Sequence, residues 1–197
     1  MNSEELLRQY KIGKRNFQGN NLARAIFKNT NLAEINFSQA ILTEADFTET
    51  NLEQAIFERA DLTLSNFSQA KLTQADLTSA SLKSALLYKT SLDKAQLQQA
   101  NLSQAILKRA FLREANLSQT ILIAADFQQA NLIDADLRGA DLSKANLEKA
   151  FLQGANLDRA CLKGANLEQA VLTGAIMPDG RIYEEVKIKE RGMRNEE

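Results

Sequence analysis

The chain has no histidine and no tryptophan, a single cysteine, a single proline and only eight glycines among 197 residues. The absence of histidine removes the side chain that most often moves protons near neutral pH and most often binds transition metals. With so few glycines there is no Gly-rich loop of the kind that cradles phosphate. Cys161, standing alone, excludes an internal disulfide and any zinc site built from several cysteines, and it reads as belonging to a reduced, intracellular chain. No apolar run approaches the ~20 residues of a membrane-spanning helix. The amino terminus, MNSEELLRQYKIGKRNF, places Glu4 and Glu5 before a short apolar patch, unlike a secretory signal. A soluble, cytoplasmic protein is expected. An excess of either charge is also missing: 24 Lys and Arg face 25 Asp and Glu, a net charge of −1. Such balance gives no basic footprint for nucleic acid, so no nucleic-acid partner and no membrane partner is expected.

What the chain has instead is a repeat, and a fixed period redefines the fold before any local reading begins. Its length and its hydrophobic fraction of 44% suit one packed domain. From Phe17 to Met177, every fifth residue is large and apolar: of 33 positions, 25 are Leu, seven are Phe and one is Met. Two residues before each there is usually a small residue, Ala in 25 of the 33, with Thr30, Thr50, Ser65, Thr90 and Thr120 among the others. The unit is A-(N/D)-L-x-x.

A period of five fits neither regular element. Along an α-helix five residues advance the side chain by roughly 140°, which spreads Leu around the whole cylinder. Along a flat strand the alternation is two, which an odd period breaks at every unit. The pattern predicts a coil in which each pentad forms one side and a corner, with Leu and Ala inward and the other three residues outward. The core aromatic residues Phe17, Phe27, Phe37, Phe47, Phe57 and Phe67 recur every ten residues, with Phe127 as a later single case, so the number of sides is even. On a four-sided coil, Phe17, Phe37 and Phe57 stack on one side and Phe27, Phe47 and Phe67 on the opposite side. Leucines such as Leu22 and Leu32 begin the other two. Stacking at ~4.8 Å per layer makes about eight coils a rod of roughly 40 Å.

Exposed end coils would recruit other chains, so both ends are expected to be covered. Asn2-Ser3-Glu4-Glu5 offers a helix cap with carboxylates in the first turn, Leu6, Leu7 and Tyr10 an apolar face, and Gly13 a stop. At the far end Pro178-Asp179-Gly180 is a turn signal after which Ile182-Tyr183 can fold back over the last coil. Beyond Glu184 a charged, mobile tail is expected. The expected organisation is a capping helix in residues 1–14, a repeat domain in 15–179, and a terminal cap with a charged tail in 180–197.

The tandem A-(N/D)-L-x-x pattern resembles the pentapeptide repeat family, and the likeness runs through residues 15–179. The flanks ELLRQYKIGKRNF and GAIMPDGRIYE resemble those of cyanobacterial members. The resemblance implies an all-β fold, a right-handed quadrilateral β-helix, and no shared catalytic residues. It also implies two contrasting functional models. Some members are acidic dimers that resemble duplex DNA and protect a topoisomerase; cyanobacterial members regulate differentiation through protein contacts. A DNA mimic needs a strongly negative face, because the duplex carries about one charge per 1.7 Å. Here the sides of Leu22 and Leu32 hold three acidic against four basic residues and five against three, and the side of Phe27 holds five of each. No side imitates DNA, and no loop interrupts the repeats.

The outward place just before each core residue is usually Asn, Asp or Ser, but on the side of Leu32 it is taken by Phe111, Phe151 and Val171, with Ile133 beside them. These four fall on successive coils, and a contiguous apolar patch is more informative than scattered apolar residues. Ile26, Ile41, Ile56, Ile106 and Ile121 in equivalent places are such scattered cases. Cys161, near Lys163, occupies an outward place that Asn fills elsewhere. Tyr88-Lys89 and Lys108-Arg109 form a small basic and aromatic spot on the side of Phe27. Nothing converges as an active site requires. The expectation is a non-enzymatic, rigid scaffold for a protein partner, monomeric or weakly dimeric, with no cofactor and no metal; a DNA-mimicking regulator of a topoisomerase is the alternative.

Overall fold

The computed structural model describes residues 1–184. It begins with α1, Ser3–Lys11, whose cap is Asn2: its side chain accepts the Glu5 N–H at 2.9 Å. Glu4 and Glu5 occupy the first turn and Arg8 and Lys11 the last, each sign on the favourable end of the helix dipole. Gly13, at φ +98°, lets the chain turn away from the helix. Leu6 is fully buried on the end of the rod, and the Tyr10 hydroxyl donates to the Ala33 carbonyl at 2.8 Å.

From Asn16 to Asn156 each residue before a core position pairs in parallel with the residue twenty further on, as in Asn16 with Asn36 and Asn21 with Ile41. This offset of twenty is four pentads, so the coil is four-sided. We call the sides that contain Phe17, Leu22, Phe27 and Leu32 the first to fourth faces.

One pentad shows why the unit is stable. Asn116 N–H donates back to Ala95 C=O (2.9 Å), Leu117 N–H forward to Asp136 C=O (2.7 Å), and Gln119 N–H forward to Arg138 C=O (2.8 Å). Thr120 N–H closes the corner on Leu117 C=O (3.3 Å). Only the Ser118 N–H is left without a backbone partner, and the Asn116 side chain takes it at 3.1 Å. The Asn or Asp of the repeat is therefore an acceptor for the one orphan donor in each unit. Asp61, Asp76, Asn101, Asp126 and Asn156 act in the same way.

Every corner residue from Gly19 to Gly174 lies in the left-handed region, with φ between +53° and +75°. Such a conformation at the third residue, with the corner closed by an N–H···O=C bond, is that of a type II turn. Most of these residues are not glycine; Gln, Glu, Lys and Arg dominate. Left-handed backbone costs each about 1 kcal/mol, a strain the stacked hydrogen bonds offset. Stacked corner side chains also bond to one another, as in Arg24 with Glu44 and Gln99 with Gln119.

The core residues Phe17, Leu22, Phe27, Leu32, Phe37, Phe47, Phe57, Phe67 and Phe127 are all buried. Phe27, Phe47 and Phe67 stack along the third face, with ring centroids 5.1 and 4.8 Å apart. Phe37 and Phe57 on the first face meet them across the interior at 5.9 to 6.1 Å. The ten-residue rhythm thus fills the first coils with facing aromatic columns. Buried hydroxyls are satisfied: Thr50 and Thr90 donate to the Phe27 and Phe67 carbonyls, both at 2.7 Å.

At the other end Ile182 pairs antiparallel with Ile176, and Tyr183 N–H donates to Ala175 C=O at 2.7 Å. The returning chain covers the first face and reaches the fourth. Leu162 and Leu167, which end the second and third faces, are only partly buried among the described residues. The charged tail expected beyond Glu184 lies outside the described residues.

Candidate functional site

The fourth face brings the apolar residues together. Parallel pairing joins Phe111 to Asn131, Asn131 to Phe151 and Phe151 to Val171, so they form one outward column on consecutive coils. Phe111 and Phe151 are 47% and 43% exposed; Val171 is half-buried. Ile133 stands in the neighbouring outward column, held by its N–H to the Asn131 side chain (3.1 Å). Asn131 separates the two phenylalanines, giving the strip a polar centre that spacing alone did not emphasise.

Replacing Asn by Phe at this place forfeits the acceptor for the orphan N–H. At Phe111 the loss is repaired from the coil before: Asp93 accepts the Arg113 N–H at 2.9 Å. No such replacement serves Gln153, two residues after Phe151, and the Gln153 side-chain oxygen is buried without a partner. The rod therefore tolerates an unsatisfied polar atom beside an exposed apolar column, which is unfavourable for folding taken alone.

The borders of the strip differ in charge. Along the corner between the third and fourth faces stand Lys89, Arg109 and Lys149. Along the corner between the fourth and first, Glu114 lies 3.6 Å from Lys94, and Asp134 lies 3.9 Å from Arg113. Further along that corner Gly154 and Gly174 carry no side chain, so the strip beside Phe151 and Val171 is open at its edge. At Gly154, φ is +67° and an added Cβ would strike the Asp134 carboxylate.

Other apolar residues are exposed, but in shorter groups. Ile121 and Ile123, 41% and 38% exposed, flank Leu122 on the second face, and Ile123 was not singled out in the sequence. Leu86 and Ile106 are paired neighbours on the third face. Next to them partial desolvation raises the Tyr88 phenol, but Lys89 and Arg109 outweigh it and hold the phenol below its ordinary value. Lys108 in the same spot is tied to Asp126 at 3.2 Å.

Cys161 is exposed, with its sulfur 3.2 Å from the Ser143 hydroxyl. The Ser143 hydrogen bond, then the Lys163 backbone N–H, lowers its thiol from the ordinary value; the Lys163 charge is the weakest of the causes. The hydroxyl across the coil is a stronger influence than the neighbouring lysine charge. Among the described residues no group of three or more His, Cys, Asp and Glu could hold a metal ion, and no helix is long and apolar enough to cross a membrane.

Two family models match the chain, one described as pentapeptide repeat region over residues 20–97 and one as pentapeptide repeats in overlapping segments over residues 80–174. The chain is 36% identical to HetL from the cyanobacterium Nostoc sp. strain PCC 7120, described as a pentapeptide repeat protein involved in heterocyst differentiation regulation. That match covers 93% of this chain and 100% of HetL, at a TM-score of 0.47. The chain belongs to the pentapeptide repeat family. As in other members, its coil is a right-handed quadrilateral β-helix. QnrB1, a plasmid-mediated fluoroquinolone resistance protein, shares the fold at 19% identity and a TM-score of 0.71, over 79% of this chain and 81% of its own. Rfr23 from the cyanobacterium Cyanothece 51142 is 22% identical over 91% of this chain and 99% of its own, at a TM-score of 0.20. No curated protein sequence matches.

Proposed function

We propose that the protein is a non-enzymatic scaffold of the cytoplasm, a monomer or weak dimer, that docks a protein partner on its fourth face through Phe111, Ile133, Phe151 and Val171. The observation that carries this reading is the outward column itself: two phenylalanines, each more than two-fifths exposed, in the place where the repeat favours a hydrogen-bonding Asn or Asp. Aromatic residues at an interface bury large areas with little conformational loss, and burying an exposed Phe contributes about 1.5–3 kcal/mol. The glycine corners at Gly154 and Gly174 support it, since they put no side chain in the way of a chain approaching the strip.

The reading as a DNA-mimicking topoisomerase regulator finds less support. Carboxylates on the rod sit beside cations, as Glu44 with Arg24, Glu114 with Lys94 and Asp126 with Lys108, which breaks up any continuous negative face.

The test is affinity capture from the native cell with the whole chain as bait, followed by mass spectrometry, in parallel with the Phe111→Ser, Phe151→Ser double variant. A reproducible partner that the double variant fails to retain is expected. Equal recovery by both baits removes the fourth face from the account, and protection of gyrase supercoiling at near-stoichiometric protein overturns the scaffold reading in favour of its rival.

A further inference from the structure

The described rod is convex, and its grooves are mostly walled by polar side-chain ends. The groove lined by Ser118, Gln119, Arg138, Gly139, Asp158 and Arg159, for example, carries its own carboxylate. One cleft differs, where α1 leaves the end of the rod. It holds about 380 Å³ and is lined by Leu7, Tyr10, Lys11, Arg15, Thr30 and Asn31. We infer that this cleft binds a small aromatic carboxylic acid.

Three features give that chemistry. Leu7 and the Tyr10 ring, both partly buried, form an apolar wall. Opposite charge is supplied without being answered: neither Lys11 nor Arg15 has a carboxylate within 4 Å among the described residues, whereas Arg8 on the same helix is paired with Glu5. The polar groups are also held in place. The Arg15 guanidinium stacks 3.9 Å from the Tyr10 ring centre and donates one Nη1–H to the Tyr10 carbonyl at 3.0 Å. Its Nη2 and Nε find no acceptor among the described residues. Asn31 accepts the Ala33 N–H at 3.2 Å through its oxygen, which leaves its amide nitrogen as a donor toward the cleft.

Two of the last-turn carbonyls of α1, which would repel an anion, are engaged. Tyr10 C=O accepts the Gly13 N–H and Arg15, and Gln9 C=O accepts the Lys14 N–H. A guanidinium edge suits a carboxylate, which takes two parallel N–H bonds. An inorganic anion would leave the apolar wall wet, and a neutral aromatic ring would leave both cations unanswered. The volume lies near the lower end of the ~300–1,000 Å³ typical of ligand sites, the size of a single-ring acid. Recognition here is independent of the fourth-face strip, which starts four coils further along.

The test is a ¹H–¹⁵N NMR titration of the whole chain with phenylacetate, with phenylacetamide and inorganic phosphate as controls. A ligand of that size is expected to bind with Kd on the order of 1 mM, with saturable shifts at Leu7, Lys11, Arg15 and Asn31. Arg15→Gln and Lys11→Met should each weaken binding roughly tenfold, and Phe111→Ser should leave it unchanged. Absence of saturation, equal binding of the amide or of phosphate, or unaltered binding by both variants overturns the inference. Should Arg15→Gln release α1, seen as lost protection of Leu6, Lys11→Met decides alone, because Lys11 makes no side-chain hydrogen bond among the described residues.

Discussion

Phe47→Leu replaces a core phenylalanine with the residue that fills most of the equivalent positions, yet it should destabilise the rod. Phe47 stacks on Phe27 at 5.1 Å and on Phe67 at 4.8 Å, and meets Phe37 and Phe57 edge-on at 6.1 and 5.9 Å. Aromatic pairs contribute about 0.5–1.5 kcal/mol beyond burial, and the four share one ring, so they do not add fully. With the void left by the smaller side chain, the loss should be about 2–4 kcal/mol. Phe127→Leu is the matched control. That ring is equally buried but stands between Leu107 and Leu147 on its own face, and among the described residues no aromatic ring pairs with it. Its loss should stay near 1 kcal/mol, of the order of a volume-reducing apolar exchange. Urea unfolding followed by far-ultraviolet circular dichroism measures both, with unchanged m-values showing that the unfolded reference is the same. Equal losses, or a larger loss for Phe127→Leu, would refute the claim that the ten-residue aromatic rhythm stabilises the first coils.

Further expectations follow from the same hydrogen-bond and corner geometry. Asn116→Ala orphans the Ser118 N–H, now bonded at 3.1 Å, and should cost about 1 kcal/mol in urea unfolding, whereas Ser118→Ala removes only the 2.8 Å hydroxyl bond and should cost less. Gly154→Ala should lower the melting temperature more than Gly174→Ala, because both corners are left-handed but only the first added methyl must displace the Asp134 carboxylate. The Cys161 thiol is lowered first by the Ser143 hydroxyl, so its alkylation rate should reach half-maximum at a lower pH in the parent than in Ser143→Ala. Since its folded value is depressed, any stabilisation from the thiolate is present above the unfolded thiol value and is lost as pH falls through the folded one; an unshifted alkylation midpoint in Ser143→Ala would contradict the assignment.

The fold was legible because one signal repeats without interruption. A five-residue spacing of Leu over Ala excludes helix and flat strand, and the alternation of Phe17, Phe27 and Phe37 limits the coil to an even number of sides. The capping helix was equally readable, since Asn2, Glu4, Glu5 and Gly13 are local signals whose action needs no distant partner. What spacing could not convey depends on neighbours twenty residues away. Asp93 serving the Arg113 N–H in place of an asparagine, and Ser143 acting on Cys161, both join one coil to the next. The strip of Phe111, Ile133, Phe151 and Val171 could be aligned on one face from the period alone, but its exposure, the intervening Asn131 and the unsatisfied Gln153 oxygen are properties of packed side chains. The cleft beside α1 joins a non-repeating helix to the first coil, and no periodicity reports the angle at which they meet.

The most direct measurement is the affinity of a captured partner for Phe111→Ser, Phe151→Ser, set against Ile121→Ser, Ile123→Ser on the second face. Both pairs of residues are exposed to a similar degree, so both variants should keep the parent's unfolding free energy to within ~1 kcal/mol. If the fourth face is the docking surface, the first variant loses at least about a hundredfold in affinity, about 3 kcal/mol, while the second binds as the parent does. Undiminished binding by the fourth-face variant, or an equal loss in the second-face variant, would contradict the account.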